Sequence, residues 1–303
     1  MTRAELGAAW NRFFHAEQPV VALGLFRILF AYCLWREVDT TGRKSLFAID
    51  TGFHLPYVDW VFPVSADTFA LLQQLQYPLI ALVGLGLLFR PAAALLLGLQ
   101  GWVFFSDQLN FRNHPYFFLL VLLLLLLSPA GEALSLGGLV RARRRREPLG
   151  TALLGPELPF TMQRLIQLQV VLVYVYAALH KINPGYLGDG FAGIAMNKLF
   201  KGSSEESLER WLSPESIERL RGIVLDPDVL LWLAGSSVAL ELLLPVALLW
   251  RKTRPAAIVV GVAFHLTLAF VMGIRTFSYA MCASYLLFLD PQTLPKLYRR
   301  FTA

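Results

Sequence analysis

The chain has 303 residues, of which 56% are hydrophobic and 16% are charged, and its formal net charge at pH 7 is +6. A soluble domain usually has about a quarter of its residues charged. The mean hydropathy here is +0.55, so the composition excludes an ordinary soluble protein. The basic residues form short clusters beside apolar runs, which is the pattern of the positive-inside rule and not of a nucleic-acid-binding surface.

Eight apolar segments follow one another along the chain. A helix needs about 20 residues to cross the hydrocarbon core of a bilayer. The segments are Pro19–Trp35, Phe69–Phe89, Pro91–Ser106, Pro115–Pro129, Met162–His180, Val229–Trp250, Pro255–Met272 and Phe277–Leu289. The third, fourth and eighth are short, and seven spans is the alternative count. The predicted fold class is all-α: a polytopic membrane bundle of about eight transmembrane helices, with no cleaved signal peptide before the first.

The basic clusters predict the topology of this bundle. They lie at Arg141–Arg146, Arg251–Arg254 and Lys296–Arg300, after the fourth, sixth and eighth spans. Two spans separate each successive pair, so all three lie on one side, which the positive-inside rule assigns to the cytoplasm. We therefore expect both termini in the cytoplasm of a bacterial plasma (inner) membrane.

The opposite side carries two longer polar segments. Residues 37–68 are predicted as an external loop and residues 182–228 as an external lid, in which Ser213-Pro214-Glu215 indicates the start of a short helix. We expect a single transmembrane domain over residues 1–303 and no C-terminal soluble domain. Cys33 and Cys282 both fall in predicted spans, which argues against a disulfide.

Ionisable residues inside spans are costly and usually face the bundle interior. Arg27, Glu241, His180 and His265 are of this kind. Arg27 and Glu241 are expected to form a structural pair within the membrane. Lys181 ends the fifth span on the external side, and His114 lies at the outer mouth of the fourth. These residues are the candidates for chemistry.

The sequence leaves two interpretations of the role of Lys181. It could extend to the interface and mark the end of a helix. Alternatively, burial disfavours a charged amine, so a sheltered Lys181 could take a proton from a phenol or hydroquinone that enters from the membrane. A third interpretation takes His180 and His265 as axial ligands of a haem. A transporter is less favoured, because no inverted repeat is visible.

Five motifs occur in chain order at these residues. They are Leu23–Phe30 with Arg27, Asn113-His114-Pro115-Tyr116, Ala178–Tyr186 with Lys181, Glu241–Pro245, and Phe264-His265 followed by Gly273–Tyr279. Together they resemble the vitamin K-dependent gamma-carboxylases and their bacterial relatives, the "horizontally transferred transmembrane" (HTTM) domain proteins. The resemblance covers most of the chain.

The resemblance implies a quinol-dependent lyase at the external face, with no metal. Lys181 would deprotonate a reduced vitamin K-type quinol. Oxygen would then add to the quinol ring and produce a stronger base, which removes a proton from a peptide glutamate. Carbon dioxide would add to that carbon, and the quinone would leave as an epoxide. His114 would assist near the glutamate. The substrate or quinone pocket would contain Asn113, Tyr116, His180, His265 and Tyr279. The partners would be the lipid bilayer and a secreted peptide or protein, and no nucleic acid is expected.

The chain also departs from that family. The animal enzymes carry a large lumenal C-terminal region and a lumenal disulfide, whereas here the last span is followed by about a dozen residues, and Arg275 and Thr276 replace small or apolar residues. The alternative hypothesis is therefore a non-catalytic or partner-dependent membrane factor for the maturation or export of a secreted peptide.

Overall fold

The computed structural model describes residues 2–302 except 51–54, 56, 58–59, 61–63, 109–110, 201–207, 210 and 271. Side chains are also not described for 41–50, 188–189, 192, 196–198 and 302. Contacts between Cα atoms divide the chain into two compact units, which we call the first unit (residues 1–167 and 283–303) and the second unit (residues 168–282).

The first unit is mainly helical. Its elements are α1 (Arg3–His15), β1 (Glu17–Pro19), α2 (Val21–Asp50), α3 (Ala66–Leu85), α4 (Phe89–Phe105), α5 (Asn113–Leu127), α6 (Leu136–Arg145), α7 (Leu149–Leu154), β2 (Glu157–Pro159) and the beginning of α8 (Thr161–Lys181). Strands β1 and β2 pair antiparallel, with Gln18 opposite Leu158. The chain returns to this unit at its end, through a 3-10 turn at Tyr285–Phe288 and helix α14 (Thr293–Thr302).

The second unit contains the remainder of α8 and, among the described residues, five more helices. These are α9 (Phe191–Leu199), which follows a π-helical turn at Tyr186–Gly190, α10 (Pro214–Val224), α11 (Pro227–Leu249), α12 (Arg254–Phe270) and α13 (Arg275–Ser284). The Ser213 hydroxyl caps α10 by accepting a hydrogen bond from the Ser216 amide, with Pro214 at the first helical position. The predicted start of a short helix at Ser213-Pro214 is confirmed.

Each of the eight predicted segments is mostly helical over its described residues, and the all-α fold class is confirmed. Three of the described helices are long and apolar enough to cross a membrane, namely α3, α8 and α11. Shorter apolar helices are α4, α5 and α12. The number of crossings and their orientation therefore stay predictions. Cys33 and Cys282 are not joined by a disulfide.

Helix α2 extends beyond its predicted end. The apolar segment ends at Trp35, but the helix continues to Asp50, so the predicted external loop at 37–68 begins inside a helix. The polar residues after Trp35 made that stretch look like a loop. Hydropathy marks the part of a helix that is apolar enough for lipid. It does not mark where the helix itself ends.

Arg27 holds the ends of several elements of the first unit together. Its side chain is fully buried. Nη1 donates to the carbonyl oxygens of Ala130 and Ala133, and Nη2 donates to those of Gly84 and Leu134, at 3.2 Å and 2.7 Å. These carbonyls lie in the last turn of α3 and in the segment between α5 and α6, so one guanidinium satisfies acceptors that have no partner within a helix.

The structure gives Arg27 and Glu241 partners within their own units, and the predicted pair between them stays a prediction. The terminal nitrogens of Arg27 are occupied by main-chain carbonyls, and the Glu241 carboxylate is bound by Lys181. Main-chain carbonyls are abundant at helix ends, and a buried guanidinium has five donors to satisfy. An arginine near such an end therefore needs no carboxylate.

Candidate functional site

Lys181 is the last residue of α8, and the residues after it fix where the helix stops. The Asn183 side chain donates to the His180 carbonyl oxygen at 2.7 Å and accepts from the Tyr186 amide at 2.8 Å. Pro184 has no amide hydrogen with which to continue the ladder. A cation in the last turn also suits the negative end of the helix dipole. The local sequence thus places the Lys181 amine at a helix end, as predicted.

Lys181 and Glu241 form an ion pair. Lys181 Nζ lies 2.6 Å from Glu241 Oε1, and the two side chains are 24% and 5% exposed. Glu241 comes from the middle of α11, so the pair joins α8 to α11 within the second unit. The second carboxylate oxygen, Oε2, is buried and has no hydrogen-bond partner among the described residues. That oxygen can accept one more hydrogen bond.

Tyr186 and Ser237 border the pair. The Lys181 ammonium lies 5.6 Å from the centre of the Tyr186 ring, within the range of a cation–π contact. The Tyr186 hydroxyl shares a hydrogen bond with Ser237, which lies one helical turn before Glu241. Burial raises the pKa of Tyr186, the Ser237 hydrogen bond lowers it and the Glu241 charge raises it, with a net increase. Tyr186 therefore remains a neutral phenol beside the charged pair.

A second polar contact lies further inside α8. Tyr174 Oη and His265 Nε2 are 2.6 Å apart, and both residues are 2% exposed. Tyr174 precedes Lys181 by two helical turns and therefore lies on the same face of α8. His265 belongs to α12, so this face of α8 is tied to α11 by Lys181 and to α12 by Tyr174.

His180 is not part of this arrangement. It is exposed, and its ring stacks on that of Tyr176 with the centroids 6.2 Å apart and the planes within 9°. His180 does not share the face of α8 on which Lys181 meets Glu241, because adjacent residues on a helix point about 100° apart. Its predicted place in a quinone pocket stays a prediction. The haem interpretation is not favoured, since His265 Nε2 is bound to Tyr174 while His180 faces outward. No described contact joins Tyr279 to the Lys181–Glu241 pair.

The other predicted site residues belong to the first unit. His114 lies in the first turn of α5, partly buried, and its neighbours Asn113 and Tyr116 are exposed. The Tyr116 ring stacks on Phe104 at 6.1 Å. Their predicted role with Lys181 stays a prediction.

A narrow cavity lies beside Pro115, the residue that follows His114. It holds about 40 Å³, and its lining includes the polar residues Glu37, Gln73, Gln76 and Gln100 and the aromatic residues Phe69, Phe104 and Phe118. Gln76 is only 4% exposed and Glu37 only 7%. Sequence reasoning missed this cavity, although three glutamines within predicted spans were a visible signal, because amides are rarely placed in contact with lipid.

Tyr174 and Tyr186 were also missed. For Tyr174 a signal existed, since it precedes Lys181 by seven residues and a helix returns to the same face after two turns. Tyr186 follows the helix end, and its contact with Lys181 depends on the turn at Asn183, which helical periodicity does not describe.

A model of the HTTM domain matches residues 15–292 of the chain. No solved structure matches it. The matched residues include every residue of the ion pair, of the Tyr174–His265 contact and of the cavity beside Pro115.

Proposed function

The chain belongs to the HTTM family, and on that premise we propose that it is a membrane enzyme that uses a reduced vitamin K-type quinol to modify a peptide glutamate, with Lys181 as the base. The observation that carries the proposal is the Lys181–Glu241 pair, sheltered from water at a helix end, with one carboxylate oxygen lacking a partner among the described residues. The external face and the secreted peptide belong to the same proposal.

The pair can release a neutral amine without a change in net charge. Transfer of a proton from Lys181 Nζ to Glu241 Oε1, over 2.6 Å, converts an ammonium and a carboxylate into an amine and a carboxylic acid. In an apolar site both forms of the pair avoid an isolated charge, which would be far more costly. Glu241 thus serves as the acceptor that frees Lys181 to act as a base.

An aromatic ring with hydroxyl groups fits the amine of Lys181 and the carboxyl group of Glu241. The neutral amine of Lys181 can take the proton of one phenolic hydroxyl. Glu241 Oε2 can accept a hydrogen bond from a different donor group of the bound molecule. The ammonium that results then stands beside the negative charge that develops. The deprotonated quinol and oxygen together would supply the stronger base that is needed to remove the proton from the glutamate γ-carbon. Carbon dioxide would supply the new carboxyl group. Tyr186 and Ser237 orient this edge of the site.

The test is to replace Lys181 with arginine. Arginine keeps a positive charge for Glu241, but its guanidinium does not lose its proton in proteins. We expect quinol-dependent oxygen consumption and epoxide formation by purified protein to fall by about 100-fold or more, the usual range for loss of a general base. The unfolding temperature should change little. Lys252→Arg, an exposed lysine just after α11, is the matched control. Equal turnover in Lys181→Arg and the natural chain refutes Lys181 as the base.

A second candidate function rests on the same ion pair. An amine held by a carboxylate at 2.6 Å is also a sound way to join α8 to α11. On this account the protein is a non-catalytic factor for a secreted peptide. The purified natural chain would then show no quinol-dependent oxygen consumption but would co-purify with that peptide. Lys181→Arg would leave the peptide bound.

A further inference from the structure

Two cavities of the first unit lie side by side at the end of α3. One is an open apolar groove of about 540 Å³, and the other is a pocket of about 300 Å³ whose charged lining residues are Arg90, Arg141 and Glu132. This end of α3 leads to Arg90, on the side that the charge pattern assigns to the cytoplasm. Neither cavity contains a residue of the proposed catalytic site.

The apolar groove exists because its floor is made of small residues. The groove is lined by Ala31 of α2 and by Ala81 and Gly84 of α3. A Cβ added to Gly84 would lie 3.1 Å from the Ala31 Cβ, so the two helices approach closely there. Larger apolar side chains form the walls, among them Tyr32, Trp35 and Leu85. A groove of this kind on a membrane helix pair suits an acyl chain.

The basic pocket carries two arginines. Arg90 is exposed and makes no hydrogen bond or ion pair with any described residue. Arg141 bonds the rim residue Glu132 through Nη2 at 2.7 Å. Gly137 lies beside it, and a Cβ there would come within 2.8 Å of the Gly86 carbonyl oxygen, so a glycine lets the backbone segments at residues 86 and 137 approach closely in this pocket. A phosphate between the two arginines would meet donors from both.

The groove and the pocket adjoin. Leu85 lines the groove and the next residue, Gly86, lines the pocket; in the same way Leu136 lines the groove and Gly137 lines the pocket. An apolar groove therefore adjoins a basic pocket, and this is the shape and charge of one kind of molecule. We propose that this site binds an anionic phospholipid, with an acyl chain in the groove and the phosphate between Arg90 and Arg141.

The lining distinguishes this ligand from simpler ones. A free phosphate would use the arginines but would leave the groove unfilled. A zwitterionic lipid would fill the groove but would bring a cation toward Arg90. Basic pockets at the cytoplasmic ends of membrane helices are common sites for anionic headgroups. The proposal does not depend on the proposed catalytic function.

Native mass spectrometry of the detergent-purified full chain tests the proposal. The probes are phosphatidylglycerol, phosphatidylcholine and inorganic phosphate, each added separately. We expect one tightly retained phosphatidylglycerol, and weaker retention of the other two. Arg90→Gln with Arg141→Gln should reduce phosphatidylglycerol retention by about tenfold or more, since each arginine near an anionic lipid contributes appreciably to its binding.

Matched variants separate the site from general surface charge. Arg143→Gln with Arg144→Gln removes the same charge from the same segment without touching the pocket, and it should leave retention unchanged. Ala81→Phe fills the groove and should lower retention with both arginines in place, whereas Ala94→Phe, at an exposed alanine on α4, should not. Equal retention of both lipids, equal loss in the two arginine pairs, or binding of phosphate as strong as that of phosphatidylglycerol would overturn the proposal.

Discussion

Each of the two compact units buries a charge among apolar helices, and they neutralise it in different ways. In the first unit, Arg27 donates to four main-chain carbonyls and needs no counter-charge. In the second unit, Glu241 is bound by Lys181, the last residue of α8, and one oxygen of Glu241 has no partner among the described residues. Carbonyls at helix ends have no second protonation state, whereas an amine and a carboxylate can exchange a proton. The first arrangement is suited to holding helices together, and the second also to chemistry.

The largest effect should come from removing the charge at Arg27. Arg27→Met leaves four carbonyls without their donor in a buried place, and unsatisfied buried groups cost about 1–3 kcal/mol each before relaxation. We expect a loss of about 3–5 kcal/mol in the free energy of unfolding. Thermal unfolding in detergent would measure it. Arg12→Met, at an exposed arginine of α1, is the control and should stay within about 0.5 kcal/mol of the natural chain.

A mutant cycle on the ion pair sharpens the contrast. Lys181→Met leaves the buried Glu241 carboxylate unpaired and should cost about 2–3 kcal/mol, a value reduced because Lys181 is partly exposed. Lys181→Met combined with Glu241→Leu should recover most of that stability, since apolar replacements of a buried pair are often neutral. Quinol-dependent activity should remain lost in both. If the double variant stays as unstable as the single one, the pair is a structural support like Arg27.

The smallest effect is expected at Tyr174. Tyr174→Phe removes a buried hydrogen bond to His265 and should cost about 1–2 kcal/mol. Tyr176→Phe, two residues later on the same helix and 63% exposed, should cost almost nothing. Thermal unfolding of the two variants compares the inner and outer faces of α8 directly. Equal costs would mean that the Tyr174–His265 contact adds little to stability.

The sequence predicted the elements of this fold better than their partners. Runs of apolar residues located the eight helical segments, and Ser213-Pro214 located the start of α10, because both signals are local. The partner of Arg27 was not predictable in this way. Depth in the membrane follows from position along a span, but the direction in which a side chain faces a distant helix depends on packing. Lys181 was identified by its place at a helix end, and its bond to Glu241 required the structure.

The first unit is assembled from two separate stretches of chain, and this sets an order for biosynthesis. The amides of Gln163 and Gln167 both donate to the carbonyl oxygen of Leu287, which leaves the ribosome after the whole of residues 168–282. Domains generally fold as units during synthesis, the N-terminal ones first. This unit cannot complete its core before Leu287 has been made, so two buried glutamines lack their acceptor while the intervening segment is synthesised.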